Sequence, residues 1–156
     1  MKTTTETPFK IVLYQPQIPQ NTGNIVRTCR TAGADLVLVG PMGFSTDDRW
    51  LKRAGLDYWD GVNVEEISDF EGFLEGLNGP FYFLSSKATT AYYDADLSHG
   101  ACLVFGSETT GLPDWVHEKY PDKLLTIPME PGARCLNLAT SVGITLFEGR
   151  RQVVMR

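Results

Sequence analysis

The sequence has few of the residues on which most recognisable enzyme chemistry depends. Its 156 residues include only 3 cysteines and 2 histidines. Cys29, Cys102 and Cys135 are odd in number and lie far apart, without a C-x-x-C pair. We therefore expect neither a disulfide framework nor a metal site. Such cysteine usage predicts a reducing, cytoplasmic location.

Long apolar runs are also missing. None approaches the roughly 20 residues that cross a bilayer, and the opening MKTTTETPFK lacks the apolar segment of a secretory signal. We expect no membrane partner. The chain is 42% hydrophobic and 21% charged, which excludes a disordered or coiled-coil protein. Its length predicts a single domain over residues 1–156.

Positive charge is scarce overall but clustered. The chain has 14 basic and 19 acidic residues and a formal net charge of −5, whereas a protein that binds polyanions through bulk charge is normally basic. Local clusters of basic residues nevertheless leave nucleic acid open as a partner. They are Arg27, Arg30, Arg49, Lys52 and Arg53, and then Arg134, Arg150 and Arg151.

The usual catalytic motifs are absent. The segment GSETTG (106–111) has the glycine spacing of a P-loop, but Leu112 and Pro113 stand where lysine and serine or threonine are required. The chain has no G-x-G-x-x-G turn, no H-x-x-x-H pair and no nucleophile elbow. His99 is expected in a loop and His117 on a helix exterior, both as surface residues.

The order of apolar segments predicts an α/β fold with a parallel sheet flanked by helices. Several short runs are apolar throughout, which is typical of strands buried on both faces. The predicted strands are residues 9–15, 35–40, 81–86, 101–106 and 123–129, with a weaker one at 62–67.

Capping signals predict where the helices begin. Thr22 is expected to cap a helix that ends at Gly33, and Ser68 to open another through a capping box. The last helix is predicted over 136–154, where small residues such as Gly143 would let another backbone approach closely.

Polar residues collect in three loops, each directly after a predicted strand. In open α/β sheets, ligands bind beyond the carboxyl ends of the strands, so we expect one site there. Its polar residues suit hydrogen bonding and orientation better than proton transfer, as in reactions activated by a cofactor. They are Asn21, Asn24, Arg27, Glu108, Arg134 and Asn137.

Three segments resemble the motifs of a known family. They are NTGNIVRTCRTAG (21–33), LVFGSETTGLP (103–113) and IPMEPGARCLNLATSVGITLFEGRRQ (127–152), and they look like those of the SpoU-type branch of the SPOUT RNA methyltransferases. Within it, PMGFSTDDRWLKRAGLDYW (41–59) and the lack of an appended RNA-binding domain look most like the small enzymes that methylate the wobble ribose of tRNA.

The resemblance implies a fold, a cofactor and partners. The fold would be a parallel sheet with a C-terminal trefoil knot, the cofactor S-adenosylmethionine and the assembly a homodimer that binds tRNA. Gly106, which has no Cβ, would let the ligand approach the backbone. By motif match, the cofactor would be bound by Leu84, Gly106, Ile127, Met129, Cys135 and Leu136.

The resemblance also implies roles in the reaction. Arg27, Glu108 and Asn137 would be catalytic. We expect Arg27 to stabilise the developing alkoxide, because a guanidinium that stays protonated is a poor base. Glu108 would pair with Arg27 or bind the nucleotide, or serve only as a charge at the helix N-terminus near Pro113. Asn137 could equally be an N-cap. The substrate would be bound by Asn21, Asn24, Arg30 and Arg134.

Two departures from the family pattern leave alternatives open. Cys135 stands where the family usually has serine, and Thr110 where it often has arginine. Methylation of ribosomal RNA or of another tRNA position, and a non-catalytic RNA- or cofactor-binding module, are the alternative functions.

Overall fold

The computed structural model describes residues 1, 9–45, 47, 49, 51 and 61–155. Most of the 41–59 segment, with Lys52 and Arg53, lies outside the described residues. The strands are β1 (Phe9–Tyr14), β2 (Ala34–Val39), β3 (Val64–Ile67), β4 (Phe81–Leu84), β5 (Ala101–Phe105) and β6 (Leu124–Leu125). The α-helices are α1 (Pro19–Ala32), α2 (Phe70–Glu75), α3 (Asp114–Lys119) and α4 (Leu138–Met155).

The six strands form one parallel sheet in the order β3-β2-β1-β5-β4-β6. This confirms the predicted α/β fold. Because β1 pairs with β2 on one side and with β5 on the other, the strand order reverses between β1 and β5. Such a reversal opens a crevice at the carboxyl edge of a parallel sheet.

Both faces of the sheet are covered, which explains the continuous apolar strands. Ile11 and Leu13 face a core that includes Ile25 of α1 and Leu146 of α4. Val12, between them, belongs to the core on the opposite face, with residues of α2 and α3. Alternate residues of a strand point to opposite faces, so a strand with helices on both sides is apolar at every position.

Helix starts differ from their predicted positions by one to four residues, whereas α1 ends at Gly33 as predicted. α1 begins at Pro19 after Ile18, and Thr22 is fully buried inside it instead of capping it. Asp69, not Ser68, caps α2, because its Oδ1 accepts a hydrogen bond from Gly72 N at 3.0 Å. Proline at the first helical position supplies the preorganised backbone that starts α1 without a side-chain cap.

The predicted strand at 123–129 was too long, and the helix after it was predicted to start too early. β6 has only two residues, and α4 begins at Leu138. Residues 128–137 between them are exposed. Apolar residues such as Ile127 and Met129 produced the strand prediction, but they belong to a loop that lines a cleft.

α4 is fixed to the rest of the fold by polar and apolar contacts. Arg150 Nη1 donates to the Ala32 carbonyl at the end of α1, 3.0 Å away. Gln152 Oε1 accepts from Leu97 N at 2.6 Å. Val142 and Leu146 of this helix are fully buried in the chain's own core. Gly149 is also buried, against the Phe9 ring.

Gly149→Ala should destabilise the fold. A Cβ there would lie 2.7 Å from Phe9 Cε1, and Phe9 is only 1% exposed. Overpacking of this kind costs about 1–3 kcal/mol, against a gain of about 1 kcal/mol for alanine over glycine in an unconstrained helix. Urea unfolding should therefore show a lower free energy of unfolding.

The matched control is the same substitution in a Phe9→Leu background, where the smaller side chain leaves room for the methyl group. The cost of Gly149→Ala should be smaller there. An equal cost in both backgrounds would show that contact with Phe9 is not the cause.

Candidate functional site

A cleft of about 530 Å³ lies at the carboxyl edge of the sheet. Its walls come from segments that follow four strands. The start of α1 follows β1, and the residues after β4, β5 and β6 complete the cleft. The predicted convergence of polar loops therefore occurs, and it lies at the point where the strand order reverses.

Nine of the thirteen sequence-predicted site residues line this cleft. All six residues assigned to the cofactor are among them, although they lie up to 52 positions apart in the sequence. The nine are Leu84, Gly106, Ile127, Met129, Cys135, Leu136, Asn21, Glu108 and Asn137.

The other four lie on neighbouring surface and do not line the cleft. Asn24, Arg27 and Arg30 are exposed on α1, and Arg134 is exposed in the loop before α4. Asn24 lies about one turn after Asn21 on α1, and Arg27 about one turn after Asn24, so each neighbours the one before it on the helix surface. Arg30 instead packs against Gly61. Asn24 and Arg134 are therefore close in sequence to cleft residues, whereas Arg30 lies at the far end of α1.

Glu108 fixes the start of α1. Its Oε1 accepts from Gln17 N at 2.9 Å, and its Oε2 accepts from Ile18 N at 2.9 Å and from Asn21 Nδ2 at 3.2 Å. These partners differ from the expected pairing with Arg27. A carboxylate is an acceptor only, with room for several donors, and it is stabilised near a helix N-terminus.

Asn21 and Asn137 extend this arrangement to the last helix. Asn137 Nδ2 donates to Asn21 Oδ1 at 2.9 Å. Asn137 Oδ1 accepts from Ala139 N at 2.9 Å, which caps α4. Asn21 is 7% exposed, so its bonds are formed largely away from water. Glu108, Asn21 and Asn137, which we call the motif network, therefore connect the three sequence motifs.

Gly106 lines the cleft as expected, and the loop itself also requires a glycine there. A Cβ there would lie 2.3 Å from the carbonyl carbon of Gly111 and 2.4 Å from Leu112 N. The turn between them is closed by two hydrogen bonds between Ser107 and Gly111, of 3.2 and 3.0 Å. The close approach is thus between two parts of the same loop.

Sequence reasoning missed Ser85 and misplaced His117. Both line the cleft, and His117 Nε2 lies 2.8 Å from Ser85 Oγ. Ser85 could have been found from its position, because it is the residue directly after β4 and so lies at the carboxyl edge of the sheet. His117 gave no signal, since only the packing of α3 brings its ring to this edge of the sheet.

The three thiols differ in their surroundings. Cys29 and Cys102 are buried, and burial raises the pKa of each to about 12. Cys135 is exposed and lines the cleft. Among the described residues, no three histidine, cysteine, aspartate or glutamate side chains are grouped to hold a metal ion, and no helix is long and apolar enough to span a membrane.

The fold and site together define an α/β protein whose ligand cleft lies at the switch point of a parallel sheet. The chain belongs to the SpoU rRNA Methylase family, whose model matches residues 8–147. It is 42% identical to a Methylovorus glucosotrophus protein named tRNA (cytidine(34)-2′-O)-methyltransferase, over 92% of this chain and 95% of that one.

Solved structures of RNA methyltransferases are also similar to this chain. One described as "Structural insights into the 2-OH methylation of C/U34 on tRNA" is 40% identical, with a TM-score of 0.88 over 96% of this chain and 99% of that one. An AdoMet-bound rRNA methyltransferase from Sinorhizobium meliloti is 27% identical, with a TM-score of 0.83 over 96% of this chain and 58% of that one. Both share the architecture described above.

Glu108→Gln should loosen the start of α1. The amide keeps the size of the side chain but replaces one acceptor oxygen with a donor, so at least one of the three hydrogen bonds is lost. An unpaired donor costs about 1–3 kcal/mol when it is buried, and the donors to Glu108 are part-buried or exposed, so the loss should lie at or below about 1 kcal/mol. We expect a lower free energy of unfolding and faster hydrogen exchange at the amides of Gln17 and Ile18.

Glu118→Gln is the matched control, because Glu118 is exposed on α3. It should change the free energy of unfolding by less than about 0.5 kcal/mol. Equal effects of the two substitutions would contradict the role of the Glu108 carboxylate.

Proposed function

We propose that this protein methylates the ribose 2′-hydroxyl of the wobble nucleotide, position 34, in tRNA anticodons, with S-adenosylmethionine as the methyl donor. The observation that carries the proposal is the cleft in which all three motifs meet. Support for the substrate comes from the relative named for cytidine 34 and from the structure concerned with C/U34.

The residues of the cleft fit this cofactor. A volume of about 530 Å³ lies within the roughly 300–1,000 Å³ of sites for small organic ligands. Leu84, Ile127 and Leu136 supply apolar wall. Ser85, His117 and Thr126, which also line the cleft, supply polar groups. An apolar wall with a few polar atoms suits a ligand with a purine ring and a polar sugar.

When bound, S-adenosylmethionine supplies an activated sulfonium methyl group for in-line displacement by the ribose oxygen. The protein's contribution is alignment, a factor that can lower a barrier by about 7–11 kcal/mol in ideal systems. The motif network holds the walls of the cleft in one geometry. Since Glu108 and Asn137 are occupied by bonds to α1 and α4, we assign them positioning roles.

Arg27 is the group that acts on the nucleotide. It is exposed on α1, about one turn beyond Asn24, where an RNA backbone can reach it. Its guanidinium binds phosphate and stabilises negative charge that develops on the 2′-oxygen. Asn24 and Arg134, which are exposed, supply further polar surface to the RNA, and we assign Arg30, in the last turn of α1, to RNA farther from the cleft.

The proposal includes a homodimer, in which both chains contact RNA. One chain with a net charge of −5 has little basic surface for tRNA. Phe147 and Val154 on α4 are 42% and 48% exposed, and a Cβ at Gly143 would meet nothing within 4 Å. These positions follow one side of the helix, which is typical of a surface that a second copy covers.

The predicted single domain over 1–156, trefoil knot and cytoplasmic location belong to the same proposal. Support for the knot is the family membership and the TM-score of 0.88 to a relative of almost equal length. Support for the location is the cysteine usage together with a tRNA substrate.

Nucleoside mass spectrometry tests the reaction. Total tRNA and ribosomal RNA from cells with and without the protein should differ by a 2′-O-methylated nucleoside that maps to position 34 of tRNA. A difference confined to ribosomal RNA or to another tRNA position would contradict the substrate. No difference in either RNA would favour the non-catalytic module.

Arg27→Ala should lower single-turnover methyl transfer by about 100-fold or more, the loss typical of removing one group that stabilises an oxyanion. Cofactor binding, measured by calorimetry, should be unchanged. Lys119→Ala is the control, because Lys119 pairs with Glu71 and Glu75 of α2 and should leave both quantities unchanged. Loss of cofactor binding in Arg27→Ala would make Arg27 structural.

Sedimentation velocity tests the assembly. The wild-type protein should sediment as a dimer at micromolar concentration. Phe147→Asp should shift it to monomer, because a carboxylate cannot be buried unpaired in an apolar interface at low cost. A wild-type monomer at this concentration would overturn the proposed dimer.

A further inference from the structure

Ile18 is an exposed apolar side chain in the cleft that neither the cofactor assignment nor the dimer surface explains. It directly precedes α1, lines the cleft and is 40% exposed. Met129 and Leu136 are similarly exposed there, but both are already assigned to the cofactor. Phe147 and Val154 belong to the proposed dimer surface. An apolar side chain in a ligand cleft, unlike one scattered on open surface, has a ligand to contact.

Hydrogen bonds hold the backbone of Ile18 on both sides. Its N–H donates to Glu108 Oε2 at 2.9 Å, and its carbonyl oxygen accepts from Asn21 N at 3.1 Å and from Thr22 N at 3.4 Å. Pro19 follows as the first residue of α1. The side chain is therefore presented from a fixed backbone, and such a preorganised surface loses little conformational entropy when a ligand binds.

The position of Ile18 along the sheet places it away from most of the cofactor residues. The carboxyl ends of β1, β5, β4 and β6 follow one another along this edge. Ile18 comes after β1, whereas Leu84 ends β4 and Ile127 follows β6. Arg27, which the proposed function assigns to the nucleotide, lies on the same helix that Ile18 precedes. The end of the cleft beside α1 is therefore the end for the nucleotide.

The bonding of a nucleotide brings its base to the same place. The reacting hydroxyl is attached to C2′ of the ribose, and the base is attached to the neighbouring carbon, C1′. A hydroxyl that enters the cleft therefore brings the base to the cleft wall or its rim. Each base has a ring face that makes no conventional hydrogen bonds, and contact with an apolar side chain removes both surfaces from water.

We propose that Ile18 binds the base of the nucleotide whose ribose is methylated, through contact between its side chain and a face of the ring. This rests on the proposed function, which supplies the nucleotide. The contact anchors the ribose that is joined to the base, so Ile18 is a substrate-binding residue and takes no part in the bond changes. An aliphatic side chain does not read the hydrogen-bonding edge of a base, so the contact by itself selects no particular base.

A double-mutant cycle between Ile18 and the base tests the contact. It uses two tRNAs that are identical except that one keeps the ribose but has no base at position 34. With saturating S-adenosylhomocysteine, Ile18→Ala should weaken binding of the tRNA with the base by about tenfold and of the other by less than about threefold. An equal loss on the two tRNAs, or no loss on either, would contradict the contact.

The wild-type protein gives a readout that does not depend on the folding of a variant. It should bind the tRNA without the base about tenfold more weakly than the intact tRNA. Equal binding of the two would show that the base makes no contact with the protein, and would overturn the role of Ile18.

Two further variants test whether apolar contact is the cause. Ile18→Leu keeps a side chain of the same size and should stay within about threefold of wild type on the intact tRNA. Tyr93→Ala is the matched control, because Tyr93 is 53% exposed and is not among the residues that line the cleft. It should leave both affinities unchanged. A loss in either variant as large as in Ile18→Ala would contradict the assignment.

Calorimetry with S-adenosylhomocysteine separates the base from the cofactor as the ligand of Ile18. Ile18→Ala should bind this compound with the affinity of the wild-type protein, which also shows that the variant is folded. A weaker affinity for this compound would place Ile18 against the cofactor and contradict the assignment to the base.

The outcomes also distinguish this inference from the proposed function. If the wild-type protein transfers no methyl group to position 34 of the intact tRNA, the proposed function is wrong and the inference falls with it. If it does, and Ile18→Ala binds the intact tRNA as tightly as the wild-type protein, only the role of Ile18 is overturned.

Discussion

The carboxylate of Glu108 holds together segments that are far apart in the sequence. It accepts three hydrogen bonds from residues 17–21. Asn21 in turn accepts a hydrogen bond from Asn137, at the start of α4. The loop after β5, the start of α1 and the start of α4 are therefore set relative to one another by a few polar atoms. Because these atoms lie at one edge of the sheet, the shape of the cleft depends on them.

The sheet makes this arrangement possible. Its helices cover both faces, so strands β1 and β5 lie in the interior and their carboxyl ends are fixed by core packing. Polar side chains that lie just beyond those ends are therefore attached to well-packed backbone. The cleft can then be built from loops and still hold a defined geometry, as alignment of two reactants requires.

Much of the fold could be predicted from the sequence, because a central strand that is buried on both faces has apolar residues at nearly every position. β1, β2 and β5 were predicted to within one residue at each end. β6 was not, because Ile127 and Met129 are apolar for contact with a cleft rather than for pairing in a sheet. Helix starts were less predictable, since any nearby polar residue can cap a helix and only the backbone geometry decides between Ser68 and Asp69.

The candidate site was predicted unevenly for a similar reason. Residues of the motifs, such as Asn21 and Asn137, could be grouped before their partners were known. Their partners could not: Glu108 was expected to pair with Arg27, to bind the nucleotide or to lie at the helix N-terminus near Pro113, whereas the fold places its carboxylate against the start of α1. His117 required the packing of α3 against the sheet, through buried Val116, and no local pattern carries that information.

The central claim is that one hydroxyl of one nucleotide receives the methyl group. The most direct measurement uses purified protein, radiolabelled S-adenosylmethionine and two tRNAs that are identical except for a 2′-deoxyribose at position 34. The account predicts that label is transferred to the tRNA with ribose at this position and not to its deoxy counterpart. Equal labelling of the two tRNAs would place the reaction at another atom and contradict the account.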